Sequence, residues 1–244
     1  MRIIAGEYRG RRLDAPKGQG TRPTTDRVRE SLMSALHSAR GGFTGAVVLD
    51  AFAGSGALAL EALSRGADRA VLCERDREAA GAIERNLRTL GLSSDRARLM
   101  RTDVVKRPPA AGGAPFDLVF LDPPYALGAT AVFDLIGRLD RAGSLAADVI
   151  ISYEHDGADN DAVDARAAAD GWALASRRAF GDTVIDLLER AAEPEASAAE
   201  GGAQERWLIR EVSRTAHFAR ELRMHYRTQP NASTAKKDAF RAFG

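Results

Sequence analysis

From residue 46 onward the chain alternates short aliphatic and β-branched runs with longer stretches of helical periodicity, and this alternation restricts its folding more than any other feature. Residues 46–51, 70–74, 97–102, 117–121 and 148–153 read as strands, and 57–66, 76–90, 129–140 and 161–170 between them read as helices. Repeated strand–helix units build a parallel sheet covered by helices, because parallel neighbours need a long crossover. Two further extended runs, 172–179 and 183–188, are separated only by Phe180-Gly181-Asp182. That spacing admits a hairpin but no crossover helix, so the final strand must run backwards. The predicted fold is α/β, a doubly wound, mostly parallel seven-stranded sheet whose ligands sit beyond the carboxyl ends of the strands.

The flanks of this core differ from it. Residues 1–15, with Gly6 and Gly10 as turn points, suit a small hairpin. Arg22-Pro23-Thr24-Thr25-Asp26 leads into a helix over 27–39, capped by Thr24 or Thr25 with Asp26 in its first turn. After Arg190 the composition becomes that of a linker, and 205–226 then has helical character with six arginines between 206 and 227. The expected organisation is a hairpin-and-helix cover for substrate and cofactor (1–40), the ligand-binding domain (41–192), a linker (193–205) and a basic tail, part helical and part disordered (206–244).

Forty-five per cent hydrophobic residues in a chain of 244 suffice for one substantial core. The apolar runs are strand-sized, the first residues lack the apolar stretch of a secretory signal, and Cys73 has no intramolecular disulfide partner, so a cytoplasmic location is expected. Net charge is only +1, but residues 1–40 carry +5 and 206–244 carry +6, whereas 41–190 carry −6. Basic arms around an acidic centre suit a phosphate-bearing partner; solvated arginine-rich ends would produce the same count.

The turn after the first strand runs Asp50-Ala51-Phe52-Ala53-Gly54-Ser55-Gly56, followed by Ala57-Leu58-Ala59. Gly54 and Gly56 allow a sharp turn and close approach of a nucleotide-like ligand, and the loose G-x-G-x-x-A pattern is shared with dinucleotide sites. Asp50 separates the two readings. Its carboxylate would repel a pyrophosphate but attract the ammonium of the methionyl part of S-adenosylmethionine. Glu74, ending the second strand, suits both ribose hydroxyls, and Asp103 suits the adenine amino group. As purely structural residues, Asp50 would cap the following turn and Asp103 would cap a helix.

The fourth strand runs directly into Asp122-Pro123-Pro124-Tyr125. Two prolines stiffen the loop and remove two donors, leaving carbonyls as acceptors. An exocyclic amino group needs acceptors, because its lone pair is delocalised into the base until the nitrogen pyramidalises. Asp122 and the Pro123 carbonyl would accept its two hydrogens, and Tyr125 would stack on the base. Elsewhere, Asp-Pro-Pro is an ordinary turn; at the end of strand four, opposite a glycine turn, it points to methylation of an amino nitrogen.

Met1-Arg2-Ile3-Ile4-Ala5-Gly6, Arg22-Pro23-Thr24-Thr25-Asp26-Arg27-Val28-Arg29-Glu30, the stretch 49–56 and Glu61-Ala62-Leu63-Ser64-Arg65-Gly66-Ala67 together resemble the small bacterial 16S rRNA guanine-N2 methyltransferases. The similarity covers about residues 1–190. It implies a class I, Rossmann-like, S-adenosylmethionine-dependent methyltransferase with a small N-terminal hairpin and a C-terminal helical extension. Its substrate would be one guanine of 16S rRNA on the small ribosomal subunit, and no membrane or metal would be involved. Asp50, Phe52, Ala53, Gly54, Ser55, Gly56, Glu74, Arg75, Thr102 and Asp103 would bind the cofactor, and Asp122, Pro123, Pro124 and Tyr125 would carry catalysis. Arg22, Thr24, Thr25, Arg27 and Arg29 would face substrate beside the cofactor. A monomer is expected. Members of the family typically stop near the last strand, so the basic tail is an addition, expected to add phosphate contacts.

His37, His155, His217 and His225 are scattered without ligand spacing, so no metal site is expected, and Cys73 and Trp172 read as packing. A DNA adenine-N6 methyltransferase would use the same loop but lacks a target-recognition domain here. An NAD-dependent oxidoreductase leaves the Asp122 loop unexplained, and a non-catalytic rRNA assembly factor has no use for Asp122 and Tyr125.

Overall fold

The computed structural model describes residues 1–15 and 26–192, all within one unit, Met1–Ala192. Arg22, Thr24 and Thr25, the linker and the basic tail with Trp207, His217 and His225 lie outside the described residues.

Seven strands form one sheet: β1 Val47–Asp50, β2 Arg69–Glu74, β3 Ala97–Arg101, β4 Phe116–Leu121, β5 Leu145–Asp156, β6 Trp172–Phe180 and β7 Thr183–Arg190. Their order is β3-β2-β1-β4-β5-β7-β6. The first five strands pair in parallel, and β7 lies antiparallel between β5 and β6. Central β1 is buried along its whole length, as a strand covered on both faces must be. Alternate residues along it face opposite layers: Val48 joins a core with Leu72, Leu118 and Phe120, and Leu49 joins one with Val119, Leu121 and Ile151.

The first layer is closed by helices α1 (Asp26–Arg40), α2 (Ala57–Ser64) and α3 (Arg77–Leu90), through Leu32, Met33 and Leu36, Leu60 and Leu63, and Ile83. The second is closed by α4 (Gly128–Arg141) and α5 (Asn160–Ala169), through Val132, Phe133, Ile136 and Val163. α3 begins where the Asp76 side chain accepts from the Ala79 amide at 2.8 Å, and ends at Gly91 with φ 68°. No helix among the described residues is long and apolar enough to cross a membrane.

Two departures from the sequence-based expectation bear on the site. β5 runs to Asp156 rather than 153, because Glu154, His155 and Asp156 pair with Ile185, Val184 and Thr183 of β7. A strand flanked by another strand tolerates charged residues that look like a loop in one dimension. Asp186 shows how: wholly buried in β7, it accepts from Arg177 at 2.8 and 2.7 Å and pairs with His155 Nε2 at 3.0 Å. Burial alone would raise its pKa, but these bonds overcome it and hold the carboxyl below its ordinary value. The second departure is a 3₁₀ turn, Tyr125–Leu127, directly after the two prolines, where a plain loop was expected.

The N-terminal residues form the expected hairpin in minimal form, with one bridge between Arg2 and Arg12 and Ile3 N donating to Arg11 O at 2.9 Å. It is docked on α2. Glu61 accepts from the amides of Ile4 (2.8 Å) and Ala5 (3.0 Å), and the Ser64 hydroxyl bonds Ala5 O (2.6 Å) and Tyr8 N (3.0 Å). Gly6 sits at φ 85°, and a Cβ there would lie 1.8 Å from the Ser64 carbonyl oxygen, so no other residue fits this contact.

Candidate active site

The sheet changes direction at β1: the chain first builds outward through β2 and β3, then returns to place β4 on the other side of β1. The carboxyl ends of β1 and β4 therefore border the crevice where doubly wound sheets take ligands. Asp50 pairs with Phe120 across this boundary, and Asp122 follows two residues later. The two loops singled out from the sequence are thus neighbours.

Asp50 is 1% exposed, with Oδ2 accepting from the Ala59 amide at 3.2 Å and Oδ1 without any partner. Burial, together with the charges of Asp122 and Glu74 and against the Ala59 bond, pushes its carboxyl up to about 7. Burial likewise pushes Asp122 up to about 6. Three carboxyls at one crevice with an unpaired buried oxygen are costly unless a cation completes them. The sulfonium and ammonium of S-adenosylmethionine fit that requirement.

Around this centre the expected cofactor residues fall into two groups. Gly54 (φ 54°) faces open space where a Cβ would project, leaving its backbone approachable. Gly56 (φ 80°) has a packing reason instead: a Cβ there would meet Leu72 at 2.9 Å. Ser55 is buried, its carbonyl taken by Asn86 at 2.9 Å and its hydroxyl 3.5 Å from Met1 Sδ. Ala53 N donates to Cys73 O, and Phe52 packs half-buried against the α4 layer.

Glu74 already uses both oxygens, accepting from Gly54 N at 2.8 Å and Asp76 N at 2.7 Å. Each oxygen keeps a second lone pair for a ribose hydroxyl, and the bond to Gly54 fixes the glycine turn against β2. Thr102 N donates to Glu74 O at 3.0 Å. Asp103 folds its own turn through Val105 N at 3.2 Å, with Arg75 3.6 Å from its other oxygen. These groups surround the open end of β2 and β3.

In the Asp122–Tyr125 loop Pro123 is buried, and no described group donates to its carbonyl. The Pro124 carbonyl is taken by Leu127 N at 2.8 Å. The Tyr125 ring is 44% exposed, and its hydroxyl lies 2.9 Å from Thr183 Oγ1 on β7.

Of the residues expected to face substrate, Arg29 needs a correction. Arg27 is exposed, whereas Arg29 is 1% exposed: NH2 bonds Arg2 O at 2.5 Å and Asp26 at 2.9 Å, and Nε lies 3.8 Å from Glu61. Its charge is spent inside the protein, on the amphipathic helix's inner face, joining the hairpin to α2. Glu61, Asn86 and Thr183 were missed from sequence. Glu61 had a signal, being the only charged residue in the α2 sequence ALALEALS; Asn86 and Thr183 had none. Among the described residues no group of three or more His, Cys, Asp or Glu is arranged to hold a metal ion.

Residues 1–189 match the family model described as conserved hypothetical protein 95. The chain is 38% identical over 198 residues to ribosomal RNA small subunit methyltransferase D of Escherichia coli, covering 81% of this chain and 94% of that protein. The Haemophilus influenzae protein of the same name is 42% identical over 132 residues, covering 51% of this chain and 64% of that one. Among solved structures, the Escherichia coli protein yhhF, whose name gives it as a methyltransferase, superposes with TM-score 0.64 at 36% identity over 79% of this chain and 99% of its own.

Proposed function

The chain belongs to the conserved hypothetical protein 95 family, that of the small-subunit ribosomal RNA methyltransferases D, and on that premise we propose that it methylates the exocyclic N2 amino group of a guanine in 16S rRNA. It is a methyltransferase of the S-adenosylmethionine-dependent class, with the mostly parallel α/β sheet of that class. The observation that carries the finer reading is the meeting of Asp50 and Asp122 at the ends of adjacent strands β1 and β4, close enough for the charge of one to raise the other.

When bound, S-adenosylmethionine supplies an electrophilic methyl group. Asp50, whose Oδ1 has no partner, would hold the cofactor's ammonium, Glu74 its ribose hydroxyls, and Asp103 its adenine amino group. Asp122 and the Pro123 carbonyl accept hydrogen bonds from the two N–H groups of the target amine and orient its lone pair, Asp122 then takes the proton that the methylated nitrogen must shed, and Tyr125 stacks on the base. Exposed Arg2, Arg9, Arg11, Arg12 and Arg27 contribute phosphate contacts on the hairpin side. The protein acts as a cytoplasmic monomer with no metal.

Small subunits from cells lacking this protein, incubated with methyl-labelled cofactor and digested to nucleosides, should yield labelled N2-methylguanosine. Asp122→Ala should lower the rate by about 10²–10³-fold, the usual loss when a transition-state hydrogen-bonding group is removed. Label in N6-methyladenine of duplex DNA instead, or full activity of the Asp122 variant, would refute the assignment.

A further inference from the structure

The Tyr125 ring is exposed, and its phenol oxygen makes one hydrogen bond, to Thr183 Oγ1 at 2.9 Å across 58 residues of chain. Thr183 itself is firmly held. It is 7% exposed, opens β7, and stands in register with Asp156 of β5 and Phe180 of β6. The neighbouring Asp182 carbonyl accepts from Gly157 N at 2.7 Å, tying the β6–β7 hairpin to the end of β5. The backbone that carries the hydroxyl is therefore fixed by three paired strands, whereas the ring it meets belongs to a short 3₁₀ turn at the rim of the crevice.

We propose that Thr183 is a positioning residue for methyl transfer: its hydroxyl anchors the Tyr125 phenol and so sets the plane on which the target base stacks. The two prolines stiffen the backbone of the loop, but neither restrains the side-chain torsions of Tyr125. An exposed aromatic ring free about χ1 and χ2 would offer a base many orientations, and transfer needs one, with the amine in line with the methyl carbon. The Thr183 bond removes that freedom before substrate arrives. Thr183 acts through Tyr125, the side chain its hydroxyl meets. The inference rests on the proposed role of Tyr125 as a stacking platform.

Thr183→Val keeps the β-branched shape that suits the strand and removes only the hydroxyl. It should lower kcat on small subunits about 3–10-fold while the Kd for S-adenosylmethionine, measured by calorimetry, stays within about twofold, as the loss of one hydrogen bond outside the cofactor site predicts. Thr183→Ser should restore kcat. Tyr125→Phe should match Thr183→Val, and the double variant should be no slower than either single one, because both remove the same bond. Independently of activity, amide hydrogen exchange at residues 125–127 should be faster in Thr183→Val. Wild-type kcat in Thr183→Val, a serine variant as slow as the valine variant, additive losses in the double variant, or unchanged exchange would each overturn the tether. A wild-type protein that leaves rRNA unmethylated would instead refute the functional reading, while faster exchange in Thr183→Val would still establish the bond.

Discussion

Asp50→Asn should make the protein more stable at alkaline pH and worse at holding its cofactor. Folding lifts the Asp50 carboxyl from 3.8 to about 7. The folded state therefore binds this proton more tightly than the unfolded chain does, and stability is lost as pH rises through the folded value. Above both values the loss amounts to about 4 kcal/mol, of which about 2–3 kcal/mol develops between pH 5 and pH 8. Asparagine does not titrate. It can still accept from Ala59 N, but its amide group then stands where Oδ1 now lacks a partner, costing about 1–3 kcal/mol at any pH. The constant cost cancels when two pH values are compared. Urea unfolding at pH 5 and pH 8 should show the variant gaining about 2–3 kcal/mol on the wild type across that interval. Calorimetry at pH 8 should show S-adenosylmethionine binding about 10–100-fold more weakly, the usual worth of a charge-assisted contact. A stability difference that does not change with pH, or undiminished cofactor affinity, would refute the account of Asp50.

Two further outcomes follow from the N-terminal contacts. Arg29→Met fills the same channel without the charge, leaving Glu61 buried with the Ile4 and Ala5 amides and Arg65 as partners; breaking such a pair should cost about 2–4 kcal/mol in urea unfolding, and because Arg29 pins the hairpin, rRNA affinity corrected for the folded fraction should fall as well. Gly6→Ala cannot keep the present contact with Ser64, so the amides of residues 4–8 should exchange faster in deuterium labelling, while exchange in β4 and β5 stays as it is.

The fold was legible because its determinants are local and repeated. A central strand such as β1, apolar up to its terminal Asp50, and a helix such as α3, with an Asp cap and a closing glycine, declare themselves within a few residues. The end of β5 did not, because Glu154, His155 and Asp156 are strand residues only by virtue of β7 beside them. The order in which β7 comes between β5 and β6 is likewise set by pairing between segments some thirty residues apart.

The same distinction divides the site. Asp50, Gly54 and Asp122 could be picked out because strand ends beside glycines and prolines are where backbone geometry frees a group for chemistry. Arg29 looked like their companion on the substrate side, since an arginine in a basic stretch carries no local mark of where its side chain goes. Its helix turns it inward, and the pairing with Glu61 converts an apparent phosphate ligand into a pin that holds the hairpin on α2. α2 begins directly after the glycine turn, and Asn86 reaches from α3 to both the Ser55 carbonyl and the backbone of Asp14. The hairpin is thereby bonded to the loop expected to hold the cofactor. Charges that a linear reading assigns to RNA are divided by the fold: Arg2, Arg9, Arg11 and Arg12 remain exposed for a phosphate backbone, and Arg29 keeps the surface that displays them in place.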